Sequence, residues 1–589
     1  MVRGAMEATR LMIIGFFLLI AFVTYVFFSQ VKKRYILPLV FGCIASPLFS
    51  AAAAFGVLSW LNYDMYTIMC VAPFLILGIG VDDCFILSNS FVNSTHIKDM
   101  RKRVTFVLIS VGPSITITTL TNIFAFAIGV FTPARQMSML CCCTSIAILI
   151  DFILTFTLFL PCLILIGKQK GEKKSDFNEL KKRKKEIWAK NYVTFICSKK
   201  GKVVAVFLVA ILYIFSSYGL ANMKATFEPS KAFPSDSPLS NSMEEIRKVF
   251  NEHFPVNIYI QNPPDLANKE DYKQFYELIS DIEKMPEAYD RKKSLLILDK
   301  YEEFDRKTHA LFSSIGFSTG NYSPSFDNMP FYLDNIFATE RIKYNKETKK
   351  LDKLAITFLA HNMSEWSLRA AFLEKTRKIV EKYPQFEAFI FDADSSVLDM
   401  ILNVRTDMMG SIAVTIACMA VICFFFIPDY LGLFIIITTI FSICYNLVGF
   451  LALFGGADLD PVTMVDVLIA TGFSVDYTAH IAAHFYASTE NRHKRIASSL
   501  IEMSEPMLNA GISTVLCMLP IIFIKTYAIV AFAKTIFAVV FLGLFHGLFI
   551  LPCLLSLVKI TDKMIPNIDE ILDRDCDKKP SLEPFLQED

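Results

Sequence analysis

Within the run GIGVDDCFILSNSF (78–91), Asp82 and Asp83 stand side by side in a stretch otherwise apolar enough to cross a membrane. A second run, GFSVDYTAHIAAHF (472–485), repeats the pattern: Gly78 falls on Gly472, Val81 on Val475, Asp82 on Asp476 and Phe91 on Phe485. A charge at bilayer depth costs at least about 2.5–3.5 kcal/mol on insertion scales, so such residues usually face a bundle interior and serve a pathway or a partner. Two carboxylates sharing a low-dielectric site cannot both ionise easily. They hold a proton or a metal cation, or they are neutralised acids that lock helices together. Gly78 and Gly472, one turn before the aspartates, admit close helix approach. His480 lies one turn beyond Asp476 on the same helix face and either relays a proton or hydrogen-bonds its aspartate. Asp151 and His546 are further ionisable residues at depth. Thr116, Thr118, Thr119, Thr121 and Asn122 form a polar cluster that lines the same path or bonds helix to helix. The closed ligand set of a zinc site is not visible, and no metal or cofactor is expected.

The elements that must position these residues are membrane helices. The chain has 589 residues, 54% hydrophobic and only 20% charged, with 54 Phe, too apolar for an ordinary soluble protein. Its net charge of +1 hides an uneven distribution, with basic residues crowded into short connectors, which points to a membrane and not to nucleic acid. Runs of about 20 apolar residues occur near 11–30, 36–60, 66–90, 105–131, 136–167 and 203–222, then 408–427, 430–455, 462–487, 507–525 and 528–559. With about 11 transmembrane helices the termini lie on opposite sides. The basic groups Lys32-Lys33-Arg34, Lys98 with Arg101-Lys102-Arg103, the segment around KKRKK (181–185), and Arg492, Lys494 and Arg495 all fall on one side, which the positive-inside rule assigns to the cytosol.

The expected organisation is a short extracellular N-terminus (1–10), a first helix bundle (11–167), a basic cytosolic linker (168–202), a helix (203–222), an extracellular α+β domain (223–405), a second bundle (406–560) and a cytosolic tail (561–589). The linker rests on anionic headgroups or only obeys the topology rule. In 223–405, strand-like runs at 254–261, 353–361 and 386–394 alternate with helical stretches near 239–252, 269–284 and 364–383, as in a small sheet covered by helices on one face. Sequons at Asn321 and Asn362 lie on the side where glycosylation occurs, whereas the one at Asn93 does not. Of the 14 cysteines, most fall in apolar segments and none between about 223 and 405, so no disulfide framework holds that domain. Consecutive Cys141, Cys142 and Cys143 point to different helix faces, which favours packing over a ligand site.

The repeat extends further: LFLPCLI (158–164) matches LFILPCLL (548–555), and Thr121 falls opposite Thr514. The chain therefore contains two related bundles that would bring their carboxylates together at the repeat interface. The second bundle has its polar domain inserted after its first span. The first shows only five spans, so a starting helix and polar domain of its own are expected to be missing.

GIGVDD, GFSVDYTAHI, EPSKAFPSDSPL (228–239) and FHGLFILPCLL (545–555) together resemble the Patched-related, Patched domain-containing proteins over nearly the whole chain. The resemblance implies a resistance-nodulation-division type fold, with a sterol-sensing domain at about 10–167. It also implies cation-coupled binding or movement of sterols or other lipids, with Asp82, Asp83 and Asp476 as motif acids and His480 and Asp151 as further family positions. The partners expected are a sterol or other lipid, a monovalent cation or proton, the membrane and a secreted protein ligand. A plasma-membrane location follows, with endosomal or secretory membranes as alternatives. The second functional reading is a sterol-responsive receptor or trafficking component that does not transport. No nucleophile and base pair marks an enzyme.

Overall fold

The computed structural model describes residues 2–558 apart from 32, 96, 133, 168–175, 227–230, 232, 235, 267, 317–321, 335–340, 428 and 489–490. It forms two compact units, one helical (Met1–Lys224, Lys231–Ser235 and the chain from Thr406) and one mixed (Ala225–Ser230 and Asp236–Arg405). The first stretch of the helical unit contains α1 (Val2–Gln30), α2 (Ile36–Trp60), α3 (Ala72–Asn93), α4 (Met100–Gly129), α5 (Arg135–Leu154), α6 (Leu160–Gly167), α7 (Asp176–Cys197) and α8 (Lys199–Asn222). A π-helical turn, Thr155–Phe159, joins α5 to α6 into one continuous span.

The mixed unit contains α9 (Pro238–Glu252), β1 (Phe254–Ile260), α10 (Lys269–Glu283), α11 (Ile297–Ser314), α12 (Met329–Asp334), β2 (Ile342–Asn345), β3 (Lys350–Ala360), α13 (Trp366–Val380) and β4 (Ala388–Phe391). Its antiparallel sheet has the order β2-β3-β1-β4. Alternation in FPVNIYI turns Phe254, Val256, Ile258 and Ile260 into the core, where Phe275, Leu278, Ile279 and Ile282 of α10 meet them. Strands expected at 254–261, 353–361 and 386–394 are present as β1, β3 and β4. Sequence reading missed β2, α11 and α12: four residues with one register shift carry almost no alternation, α11 is interrupted by charges, and α12 has only six residues. Asn362 is exposed at φ 60°, a left-handed turn that asparagine tolerates. Asn321 lies outside the described residues.

The helical unit resumes at Thr406, within α14 (Ser395–Phe426), and continues with α15 (Tyr430–Gly455), α16 (Pro461–Ala487), α17 (Arg492–Met518), α18 (Tyr527–Phe545) and α19 (Leu551–Leu555). Among the described residues, eleven helical spans are long and apolar enough to cross a membrane. Four begin well before their apolar windows: α1 at Val2, α4 at Met100, α14 at Ser395 and α17 at Arg492. Hydropathy sees only the hydrocarbon, while the i→i−4 hydrogen bonds run on through polar ends.

The internal repeat is visible in the backbone. A π turn at Thr155–Phe159 precedes Leu160-Pro161-Cys162-Leu163, and another at His546–Ile550 precedes Leu551-Pro552-Cys553-Leu554. In each case a proline that cannot donate to the preceding turn, and whose ring would crowd it, follows directly on the widened helix. Likewise α4 carries Pro113 and its counterpart α17 carries Pro506.

Candidate functional site

The two repeats exchange partners. Helix α3 of the first half packs along α17 of the second, and α16 packs along α4. Because α3 carries Asp82 and Asp83 and α16 carries Asp476, this double crossing brings the three acids to one cavity of about 30 Å³, enough for a water-sized species. Asp151 of α5 and His480 of α16 line the same cavity, with Thr118, Thr119 and Asn122 of α4. No lysine or arginine is among its described lining residues.

Each group is held differently. Asn122 donates its Nδ2 to both oxygens of Asp476, at 3.0 and 3.1 Å, across the repeat interface. Ser513 of α17 donates to Asp82 Oδ1 at 3.3 Å. Ser46 of α2 donates to Asp151 Oδ1 at 2.9 Å. His480 does not bond Asp476, the partner that i,i+4 spacing suggested; its Nδ1 meets the hydroxyl of Ser114 on α4. His484, one further turn on, pairs through Nδ1 with Glu502 at 3.1 Å. His546 lies away from the cavity, between Ser442 Oγ at 3.0 Å and the Leu542 carbonyl oxygen at 2.8 Å. Thr116, Thr118, Thr119 and Thr121 all bond carbonyl oxygens of their own helix, and of the expected polar cluster only Thr118, Thr119 and Asn122 line the cavity.

The glycines are unequal. A Cβ on Gly472 would lie 2.9 Å from both Ala125 Cβ and Asn122 Oδ1, so this glycine makes room for the amide that holds Asp476. A Cβ on Gly78 would meet Thr514 at 3.4 Å, an ordinary contact. The close approach in the first half belongs to Gly80, where a Cβ would stand 2.3 Å from Asp151 Oδ2 and 3.0 Å from Pro47 Cβ. Tyr477, which replaces the second acid, lays its ring on Gly543, where an added Cβ would fall 2.3 Å from Cδ2. Sequence reading missed Gly80, Ser46, Ser114 and Ser513; only the Gly78-x-Gly80 doublet carried a signal. Cys141 Sγ fills the space beside Gly129, in keeping with packing.

If all four carboxylates were ionised and uncompensated, the cost would be on the order of 10 kcal/mol, comparable to the net stability of a folded domain. Not all four can therefore be ionised without compensation. Among the described residues no three His, Cys, Asp or Glu side chains converge tightly enough to grip a metal ion, so the acids surround the space and do not gather on one point.

Residues 11–165 match a family model described as Patched, Patched SSD. Over those residues the chain is similar to the Patched sterol-sensing domain. It is 24% identical over 543 residues to Patched-related protein 9 of Caenorhabditis elegans, covering 87% of this chain and 61% of that protein. It is 20% identical to NPC1-like intracellular cholesterol transporter 1 of Rattus norvegicus, covering 87% of this chain and 45% of the relative. Its fold is similar to that of the hedgehog release protein Disp of the water bear Hypsibius dujardini, with TM-score 0.66, 13% identity, and coverage of 94% and 71% of the two chains. The chain thus combines a match to the Patched sterol-sensing domain with a fold like that of Disp, and it spans about three fifths or less of the length of these curated relatives.

Proposed function

We propose that this protein binds a sterol or other lipid and moves it at the expense of a proton or monovalent-cation gradient, through Asp82, Asp83, Asp151 and Asp476. The observation that carries the reading is the cavity: carboxylates from both repeats face one small space with no basic side chain among the described lining residues. A cation entering it changes the attraction between α3 and α16, and hence between the halves that each helix crosses into. Moving one charge across the membrane supplies about 2.3 kcal/mol per 100 mV, enough to bias such a two-state packing. The relatives support the lipid assignment, since one is named as an intracellular cholesterol transporter. The plasma membrane is the proposed site of action, with glycosylation at Asn362 on the outer side and a secreted protein as a further ligand of the mixed unit.

The test is lipid redistribution in cells expressing the full chain. Asp82→Asn combined with Asp476→Asn is expected to abolish it while surface delivery and melting temperature stay near wild type. Undiminished redistribution in that double variant would rule out coupling through the acids and leave a non-transporting, sterol-responsive receptor as the reading.

A further inference from the structure

Outside the central cavity, one cluster of buried polar groups holds atoms without partners. It lies at the start of α16, where the Leu459 N–H bonds the Lys224 carbonyl oxygen at 2.8 Å, the end of the bundle at which α8 hands over to the polar segment. There Asp466 Oδ2 and Thr526 Oγ1 are buried without a hydrogen-bond partner among the described residues, and Asp460, Thr463 and Tyr527 stand against one another. Asp460, Thr463 and Asp466 are 0%, 2% and 3% exposed. A buried carboxylate oxygen left unsatisfied is costly, so the unpartnered Asp466 Oδ2 marks a place where a ligand would be stabilised. Asp466, Thr463 and Tyr527 line a common cavity of about 30 Å³, again the size of a water or a small ion.

We infer that this cavity is a second monovalent-cation site, with Asp466 as its charged ligand and the hydroxyls of Thr463 and Tyr527 as neutral ones. Hard oxygen donors with one carboxylate suit a sodium-like ion. Two nearby lysines have contacts elsewhere. Lys231 is engaged with Asp458 at 2.6 Å and stands over the Tyr527 ring, while Lys534, which lines the cavity, donates to the Gly455 carbonyl oxygen at 3.2 Å. Asp460 Oδ1 accepts the Thr463 N–H at 2.7 Å, which fixes the first turn of α16 and holds the Thr463 hydroxyl beside the site. The feature belongs to one half only, because the repeat position of Asp466 is Ala72. Ten residues of helix, about 15 Å, separate Asp466 from Asp476, so the site stands apart from the central acids.

The experiment is equilibrium binding of radiolabelled sodium to the purified full chain, in choline buffer. In the Asp82→Asn plus Asp476→Asn background, one sodium per chain is expected to remain, and adding Asp466→Asn is expected to remove it. Thr463→Val or Tyr527→Phe, which keep the charge, should each weaken that residual binding about tenfold, an arm that holds even where the Asp466 variant folds poorly. Residual sodium binding that Asp466→Asn, Thr463→Val and Tyr527→Phe all leave unchanged would overturn the proposal, as would its absence from the central double variant. Loss of lipid redistribution or of central binding leaves the outcome at Asp466 unaffected, so the two readings fail separately.

Discussion

Among single residues, spacing in the chain and proximity in space part company at the glycines. Gly78 and Gly472 are equivalent in the repeat, yet only Gly472 excludes a side chain, and in the first half the tight position has moved to Gly80. Gly80→Ala forces either the Asp151 carboxylate or Pro47 to shift and should lower stability by about 1–3 kcal/mol, as overpacking does. Gly78→Ala should stay within about 0.5 kcal/mol of wild type. Melting curves of the purified full chain separate them, and equal losses in both variants would contradict the ranking. The same close approach explains why Asp151 can share the cavity with Asp83: nothing but hydrogen stands on Gly80 between α3 and α5.

The last span shows how one element answers to another. Pro552 leaves the Leu548 carbonyl oxygen without its usual donor, and the hydroxyl of Tyr192 on α7 takes that place at 3.1 Å. Ring stacking of Trp188 on Tyr192, with centroids 5.1 Å apart, stiffens the donor. The segment after the first bundle, which composition marks only as a basic linker, is therefore a helix tied to the end of the second bundle through a proline-made vacancy. Tyr192→Phe is expected to cost about 1 kcal/mol. In a Pro552→Ala background, where residue 552 regains an N–H, that cost should fall by half or more. A double-mutant cycle on melting temperature reads the coupling, and strict additivity would show that the two groups do not compete for the same carbonyl.

Across the whole molecule the exchange of α3 and α16 between halves is what makes a single site from two repeats. It also has a direct geometric consequence: a Cβ at Gly78 stands 3.8 Å from Thr514 Cβ, the mean separation found across a disulfide. Gly78→Cys with Thr514→Cys should crosslink under mild oxidation. After cleavage at a protease site engineered between the halves, the two fragments would migrate together without reductant and separately with it. Either single variant controls for the native cysteines, and persistent separation of the fragments in the double variant would contradict the crossing of α3 on α17.

By itself the sequence determined the number of spans, the two-fold repeat and the acids within it. Hydrocarbon demands about 20 apolar residues per crossing and penalises every charge placed there, so Asp82, Asp83, Asp151 and Asp476 stand out against their background. Tertiary structure alone decided which of them share a space and what holds each one. Ser46 lies 105 residues from Asp151, Ser114 lies 366 from His480 and Asn122 lies 354 from Asp476. Such meetings depend on helix rotation and crossing, which no local periodicity encodes. Asp466 passed unnoticed for a related reason: with no counterpart in the other half, only its unpartnered oxygen in the folded chain distinguishes it from the apolar run around it.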